Sequence, residues 1–257
     1  DYFSYRNYFY QLKNMTIYQA FDLDFKKEYG FVTINKIFGY IGGFTTLLFF
    51  LSVVNSIVYF KFIVKYNKEK SYFFSLFLYL VIPGLLLIQS SAIRQSIVIL
   101  LFLFSINYLY EKKYLKFILI IFLASFFHKS AIFLVLFIVL PTISSLSVKK
   151  NSIIYLVVYF LTLFYPEKIT DLINIDIINT NNLNILNIKY DEVYLKTMEV
   201  KLGFGSLLLT IIFLFTIYSY CKIPKKYLIL YNISIVYFIT NNLSYSIPMI
   251  GRLTMYF

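Results

Sequence analysis

Arg94 stands in Gln89-Ser90-Ser91-Ala92-Ile93-Arg94-Gln95-Ser96, a polar stretch that opens onto an apolar run. Of the chain's 24 strong cations, only Arg6, Arg94 and Arg252 are arginines. Lysine serves where a cation need only face water, whereas a guanidinium offers a rigid fork that grips phosphate or carboxylate. Arg252 follows Pro248-Met249-Ile250-Gly251 and enters an apolar stretch in the same way. His128-Lys129-Ser130 interrupts two apolar runs, and an imidazole there could take a proton from a hydroxyl. Together these residue types suit a polyanionic ligand held by guanidinium groups beside a base. The plainer alternatives are snorkelling anchors for the arginines and a tight headgroup-facing turn for the histidine. The Gln and Ser residues around Arg94 favour a polar crevice. Arg6, on an aromatic stretch, could simply touch lipid phosphate. Asp1, Asp22, Asp24 and Glu28 are candidate acids with solvated surface as the default, and Glu28 precedes Tyr29-Gly30-Phe31, which reads as a turn before the first span.

The elements that must position these residues are membrane helices. The chain is 60% hydrophobic with 29 Phe and 26 Tyr and a mean hydropathy of +0.75, a composition suited to an integral membrane protein. Charged residues make up only 14% and cluster between apolar runs, so the net +12 reads as basic loops beside spans and not as a nucleic-acid stripe. The single cysteine, Cys221, excludes an internal disulfide framework, and the single histidine excludes a multi-histidine metal site within the chain. No Walker loop, GxGxxG, HExxH or CxxC motif is present, and we expect neither a cofactor nor a bound metal. The first residue, Asp1, and the last, Phe257 inside an apolar run, lead us to expect a chain truncated at both ends.

A spanning helix needs about 20 mostly apolar residues. Eight are predicted: Phe44–Val64, Tyr72–Ile88, Ile93–Tyr110, Leu115–Phe127, Ala131–Val148, Ser152–Tyr165, Phe204–Cys221 and Tyr227–Thr240, with a ninth beginning near Arg252. Pro83-Gly84 should kink the second and Pro141 the fifth. One alternating set of loops holds twelve lysines (among them Lys65, Lys68, Lys112, Lys150 and Lys225) and two acids, a net of +10. The other set holds the remaining 12 cations and 10 acids, a net of +2. The first set is therefore assigned to the cytoplasm. Residues 1–43, the 89–93 turn, His128-Lys129, 166–203 and 241–251 then lie outside. In 1–43, Tyr2, Tyr5, Phe9 and Leu12, then Phe21, Phe25 and Tyr29, recur at helical spacing, as in amphipathic helices lying in the headgroup plane. Residues Tyr190–Leu202 read as a further helix. The expected fold is thus an all-α polytopic membrane protein of about eight to nine transmembrane helices in a single domain, with short amphipathic helices on the extracytoplasmic side.

Several stretches carry a resemblance. These are Asp1-x3-Tyr5-x2-Tyr8, Glu28-Tyr29-Gly30-Phe31, Ile93-Arg94-Gln95-Ser96, Tyr108 with Lys112-Lys113, Phe127-His128-Lys129-Ser130-Ala131, Gly203-x-Gly205 and Arg252-x3-Tyr256-Phe257. In them the chain resembles the EpsG-type proteins, a branch of the Wzy-like O-antigen and capsular polysaccharide polymerases, nearly end to end. It departs from the family at Tyr29, where a proline is expected after the glutamate. The resemblance implies glycosyl transfer at the outer face of a bacterial inner membrane, without a metal, from a glycan on undecaprenyl diphosphate to a hydroxyl of another lipid-linked unit. Arg94, His128 and Arg252 would be the catalytic residues. Gln95, Lys129, Arg6, Tyr5, Asp1 and Glu28 would bind substrate. A flippase and a chain-length regulator would be the protein partners, and nucleic acid would not be one.

Two other readings remain open on the residues alone. A membrane O-acyltransferase often uses a membrane-embedded histidine, but an acyl-CoA donor would favour the cytoplasmic side, opposite to His128. A lipid-linked oligosaccharide flippase or transporter needs charges along a central cavity and often has internal repeats. Here the mid-span regions are nearly uncharged and no repeat is visible.

Overall fold

The computed structural model of the protein describes residues 2–23, 28–67, 71–81, 92–141, 148–164, 204–218 and 227–244. Every regular element among them is helical. They form two compact units, the first within Asp1–Ile138 and the second within Val139–Met255.

In the first unit the amino-terminal region folds as three short helices. α1 (Tyr2–Lys13) buries Phe9 and Leu12, three residues apart on one face. α2 (Ile17–Leu23) opens with a reciprocal cap. The Gln19 N–H donates to Thr16 Oγ1 (3.3 Å) and the Thr16 N–H donates to Gln19 Oε1 (2.9 Å), so two otherwise unpaired donors are satisfied. α3 (Tyr29–Ile41) follows at once. Tyr29-Gly30-Phe31 is therefore the first turn of a 13-residue helix and not a turn leading straight into a span. An apolar face of Phe31, Val32 and Phe38 recurs at helical spacing and drives it onto α1. Lys36 reaches from α3 to the end of α1. Its buried ammonium donates to the carbonyls of Leu12 (3.0 Å), Lys13 (3.3 Å) and Met15 (2.5 Å). The last carbonyls of a helix lack partners within it and carry its negative pole, so a lysine placed there both caps α1 and fastens it to α3.

Gly42-Gly43 separates α3 from α4 (Phe44–Tyr66). Gly43 takes φ +96°, a conformation a side chain would disfavour, and the chain changes direction there. α5 (Tyr72–Val81) packs on α4. α6 (Ile93–Tyr110) is the central helix of the unit and is buried on most of its faces. Its buried hydroxyls, Ser96 and Ser105, donate to the carbonyls of Ile93 and Phe102 one turn back, so neither leaves an unpaired group in the core. A tight turn at Glu111-Lys112-Lys113 returns the chain as α7 (Tyr114–Ser125), which packs along α6. A 3-10 helix, Lys129–Val139, completes the unit.

In the second unit α8 (Val148–Phe164), α9 (Phe204–Tyr218) and α10 (Leu228–Ser244) surround a stack of Tyr155 on Phe213 with ring centroids 3.8 Å apart. The Tyr155 hydroxyl pairs with Thr210 Oγ1 at 2.8 Å. Asn232 Nδ2 donates to the Leu140 carbonyl at 3.3 Å.

The predicted spans meet these helices within a few residues at Phe44, Ile93–Tyr110, Leu115, Phe204 and Tyr227, and α8 begins four residues before the predicted Ser152. The fifth differs. Ala131–Val148 was expected as one kinked α-helix. The structure has a 3-10 helix that ends at Val139, followed by a turn at Leu140-Pro141. Proline removes a backbone donor and disfavours helical geometry in the residue before it, so the helix stops there. Among the described residues, α4 with 23 residues and α6 with 18 are long and apolar enough to cross a membrane, and the other apolar helices run 10–17 residues. Pro83-Gly84, residues 166–203, the Tyr190–Leu202 helix and the span expected after Arg252 lie outside the described residues.

Candidate functional site

The site forms where the amino end of α3 meets the carboxyl end of α7 and the first turn of α6. Glu28 is the residue that caps α3, yet its side chain makes no capping bond to the helix. The approach of α3 to α7 turns it elsewhere. The Gly30 N–H, one of the unpaired donors of the first helical turn, donates to the Phe126 carbonyl at 2.9 Å. A Cβ on Gly30 would lie 3.1 Å from that same oxygen, so only glycine permits this approach without a shift. His128 follows Phe126 by two residues, and its N–H donates to the Ala124 carbonyl at 3.1 Å. Glu28 and His128, a hundred residues apart, are thereby brought face to face.

Glu28 divides its two oxygens between two partners. Oε2 lies 2.6 Å from Arg94 Nη1, and Oε1 lies 2.7 Å from His128 Nδ1. The Lys129 N–H also points at Oε1, at 3.4 Å. Arg94 is the second residue of α6, so its long side chain reaches back over the helix start. There the guanidinium lies beside two rings, with Cζ 5.6 Å from the centroid of Tyr5 and 5.7 Å from that of Phe31. The rings meet edge to face at 5.9 Å. These two cation–π contacts, with the Glu28 hydrogen bond, hold the guanidinium in place before any ligand arrives.

Exposure separates the roles. The Arg94 side chain is 24% exposed and that of His128 14%, whereas Glu28 is 3% exposed. Burial disfavours the ionised form of Glu28, but the His128 hydrogen bond and the Arg94 charge outweigh it and hold the carboxyl below its usual range. The cluster is therefore an ionised, buried carboxylate that orients a guanidinium and an imidazole, both of which reach the surface.

Of the residues singled out in the sequence, Arg94, His128, Glu28, Tyr5 and the Lys129 backbone are brought together. Glu28, expected by default on solvated surface, is buried between two cationic or ionisable groups. Gln95, next to Arg94 on the helix, is buried at 7% exposure. Arg6 lies on the exposed face of α1 with its guanidinium 5.9 Å from the Tyr10 ring, and Arg94's aromatic partners are Tyr5 and Phe31. Asp1 and Arg252 lie outside the described residues. Phe31 and Gly30 were not foreseen as parts of the site. Both stand in the Glu28-Tyr29-Gly30-Phe31 stretch, so the signal was present without its meaning.

The model of the EpsG family matches residues 1–257, the whole chain. The chain belongs to the EpsG family. EpsG proteins are Wzy-like polysaccharide polymerases, and the apolar helices agree with a membrane protein of that family. The EpsG-family chain matches no curated protein and no solved structure. The Glu28–Arg94–His128 cluster thus falls within the matched region of an EpsG-family protein and uses three of the stretches through which the sequence resembled that family.

Proposed function

We propose that this EpsG-family protein extends a surface polysaccharide at the outer face of the bacterial cytoplasmic membrane. It would transfer a glycan from undecaprenyl diphosphate to a hydroxyl of a second lipid-linked unit. The observation that carries this reading is the Glu28–Arg94–His128 cluster, a preoriented guanidinium beside an imidazole, both reaching the surface. As the glycosidic bond to phosphate breaks, charge builds on the departing diphosphate. A fixed guanidinium stabilises that charge at the transition state because little reorganisation is needed. Glu28 bonds Arg94 through Nη1, which directs the rest of the fork to the donor phosphates. Lys129 supplies a second cation beside His128. His128 takes the acceptor proton, since the carboxylate of Glu28 is too deeply buried to meet a hydroxyl. The charge asymmetry of the loops supports an outer location for this cluster in a topology of eight to nine spans. With cations at the diphosphate, the reaction needs no divalent metal.

The test is reconstitution of the full-length protein in vesicles with an undecaprenyl-diphosphate oligosaccharide. A ladder of lengthening glycans, with one lipid diphosphate released per addition and formation persisting in excess chelator, is expected. A ladder that appears only with added divalent cation removes the metal-free mechanism. No ladder, with single units instead crossing the vesicle or gaining acyl groups, replaces the polymerase reading by a flippase or an acyltransferase.

A further inference from the structure

Glu28 is the member of the cluster least able to reach a bound substrate, yet it touches both members that can. An ionised carboxylate accepts hydrogen bonds and cannot donate one. The 2.7 Å contact between Glu28 Oε1 and His128 Nδ1 therefore requires the proton to sit on Nδ1. In the neutral ring the other nitrogen, Nε2, is then left with its lone pair. A free imidazole in water favours the opposite arrangement, with hydrogen on Nε2, so the tautomer at this site is imposed by the protein.

We infer that Glu28 is a positioning residue, which holds His128 as the Nδ1–H tautomer so that Nε2 is the atom that receives the acceptor's proton. The inference rests on the glycosyl-transfer reading above. In that step the acceptor O–H gives its proton to Nε2, and the acceptor oxygen bonds to the anomeric carbon. The bond from that carbon to the phosphate oxygen breaks, and its electron pair leaves with the diphosphate. The imidazolium so formed faces the Glu28 charge, which stabilises it without taking the proton. Oε2 meanwhile holds Arg94, so one carboxylate sets the spacing between the base and the cation that meets the leaving group. Among the described residues, the charged and titratable side chains facing the carboxylate are Arg94 from α6 and His128 from the segment after α7; Tyr5 from α1 lies against Arg94, and Lys129 contributes its backbone N–H. The lowered pKa of Glu28 supports its ionised, acceptor-only state.

The chain's single histidine makes the test clean. The protein, labelled with nitrogen-15 in histidine and held in lipid nanodiscs at a pH that leaves the ring neutral, should show the His128 imidazole with hydrogen on Nδ1. Glu28→Gln, whose amide can donate or accept, should give mixed tautomers and slow polymerisation on the order of a hundredfold or more. A wild-type spectrum with hydrogen on Nε2 overturns the inference, and this measurement needs no substitution to fold. A Glu28→Gln protein that polymerises within about twofold of wild type overturns it as well. A wild-type Nδ1–H spectrum from a protein that builds no ladder sinks the polymerase reading while the Glu28–His128 pairing stands.

Discussion

Arg94 Nη1 lies 2.6 Å from Glu28 Oε2, with the guanidinium partly open to the surface and the carboxylate sealed beneath it. The pair is asymmetric, since one partner can serve a ligand and the other can serve only its neighbours. Removing the buried partner leaves a half-buried guanidinium without its counter-ion, and removing the open one strands a buried carboxylate. Each costs more than the pair contributes when intact.

Arg94→Lys keeps the charge but loses the planar fork. One of the fork's charge-assisted bonds, worth roughly 1.5–3 kcal/mol, is lost at the transition state. Polymer formation should fall on the order of ten- to a hundredfold while the protein still inserts and accumulates. Rates of lipid diphosphate release by the purified variant check this. An unchanged rate at normal expression would make Arg94 an anchor and remove it from the mechanism.

The lowered pKa of Glu28 links stability to pH. Its carboxyl sits below the unfolded value of about 4.3. The stabilisation is therefore fully present above that value and is lost as pH falls through the lower folded value. Thermal unfolding of wild type and Glu28→Gln, followed from neutral pH into the acid range, should show a gap that is constant near neutrality and closes below about pH 4. A gap that stays constant throughout contradicts an ionised, paired Glu28.

Gly30→Ala tests the contact that builds the site. The new Cβ would lie 3.1 Å from the Phe126 carbonyl oxygen and 3.2 Å from its carbon, which are backbone atoms with little freedom to yield. The helix gains propensity, but the overpacking should dominate and destabilise the protein by about 1–3 kcal/mol. The start of α3 must also move off α7, and activity should drop with stability. Equal or higher stability at full activity would mean that α3 and α7 do not meet as closely as described.

Topology is open to chemical labelling. In a Cys221→Ser background, an impermeant thiol reagent added to intact cells should modify Lys13→Cys and Asn181→Cys. It should spare Lys68→Cys, Lys112→Cys, Lys150→Cys and Lys225→Cys until the membrane is broken. Labelling at 112 but not at 181 reverses the orientation and moves the site to the cytoplasmic side.

Much of this protein was legible in its sequence because the membrane imposes a linear rule. A long apolar run must satisfy its own backbone bonds as a helix, so α4 and α6 were visible from local composition and their starts fell at the predicted residues, Phe44 and Ile93. The pairing of Arg94 with an acid could not be read that way. Glu28 looked like any charged residue before an aromatic turn, and nothing in its neighbourhood marks it as buried. Its role depends on three contacts made across the chain: Gly30 against Phe126, Glu28 against His128 and Arg94, and Tyr5 with Phe31 around the guanidinium. Local composition specified the long apolar helices and the rare side chains at their ends, while α3 and the 3-10 geometry of Lys129–Val139 escaped it. Which of those side chains meet was settled by packing between helices. Local hydrophobicity specifies a helix, but the packing of three helix ends specifies a carboxylate's partners.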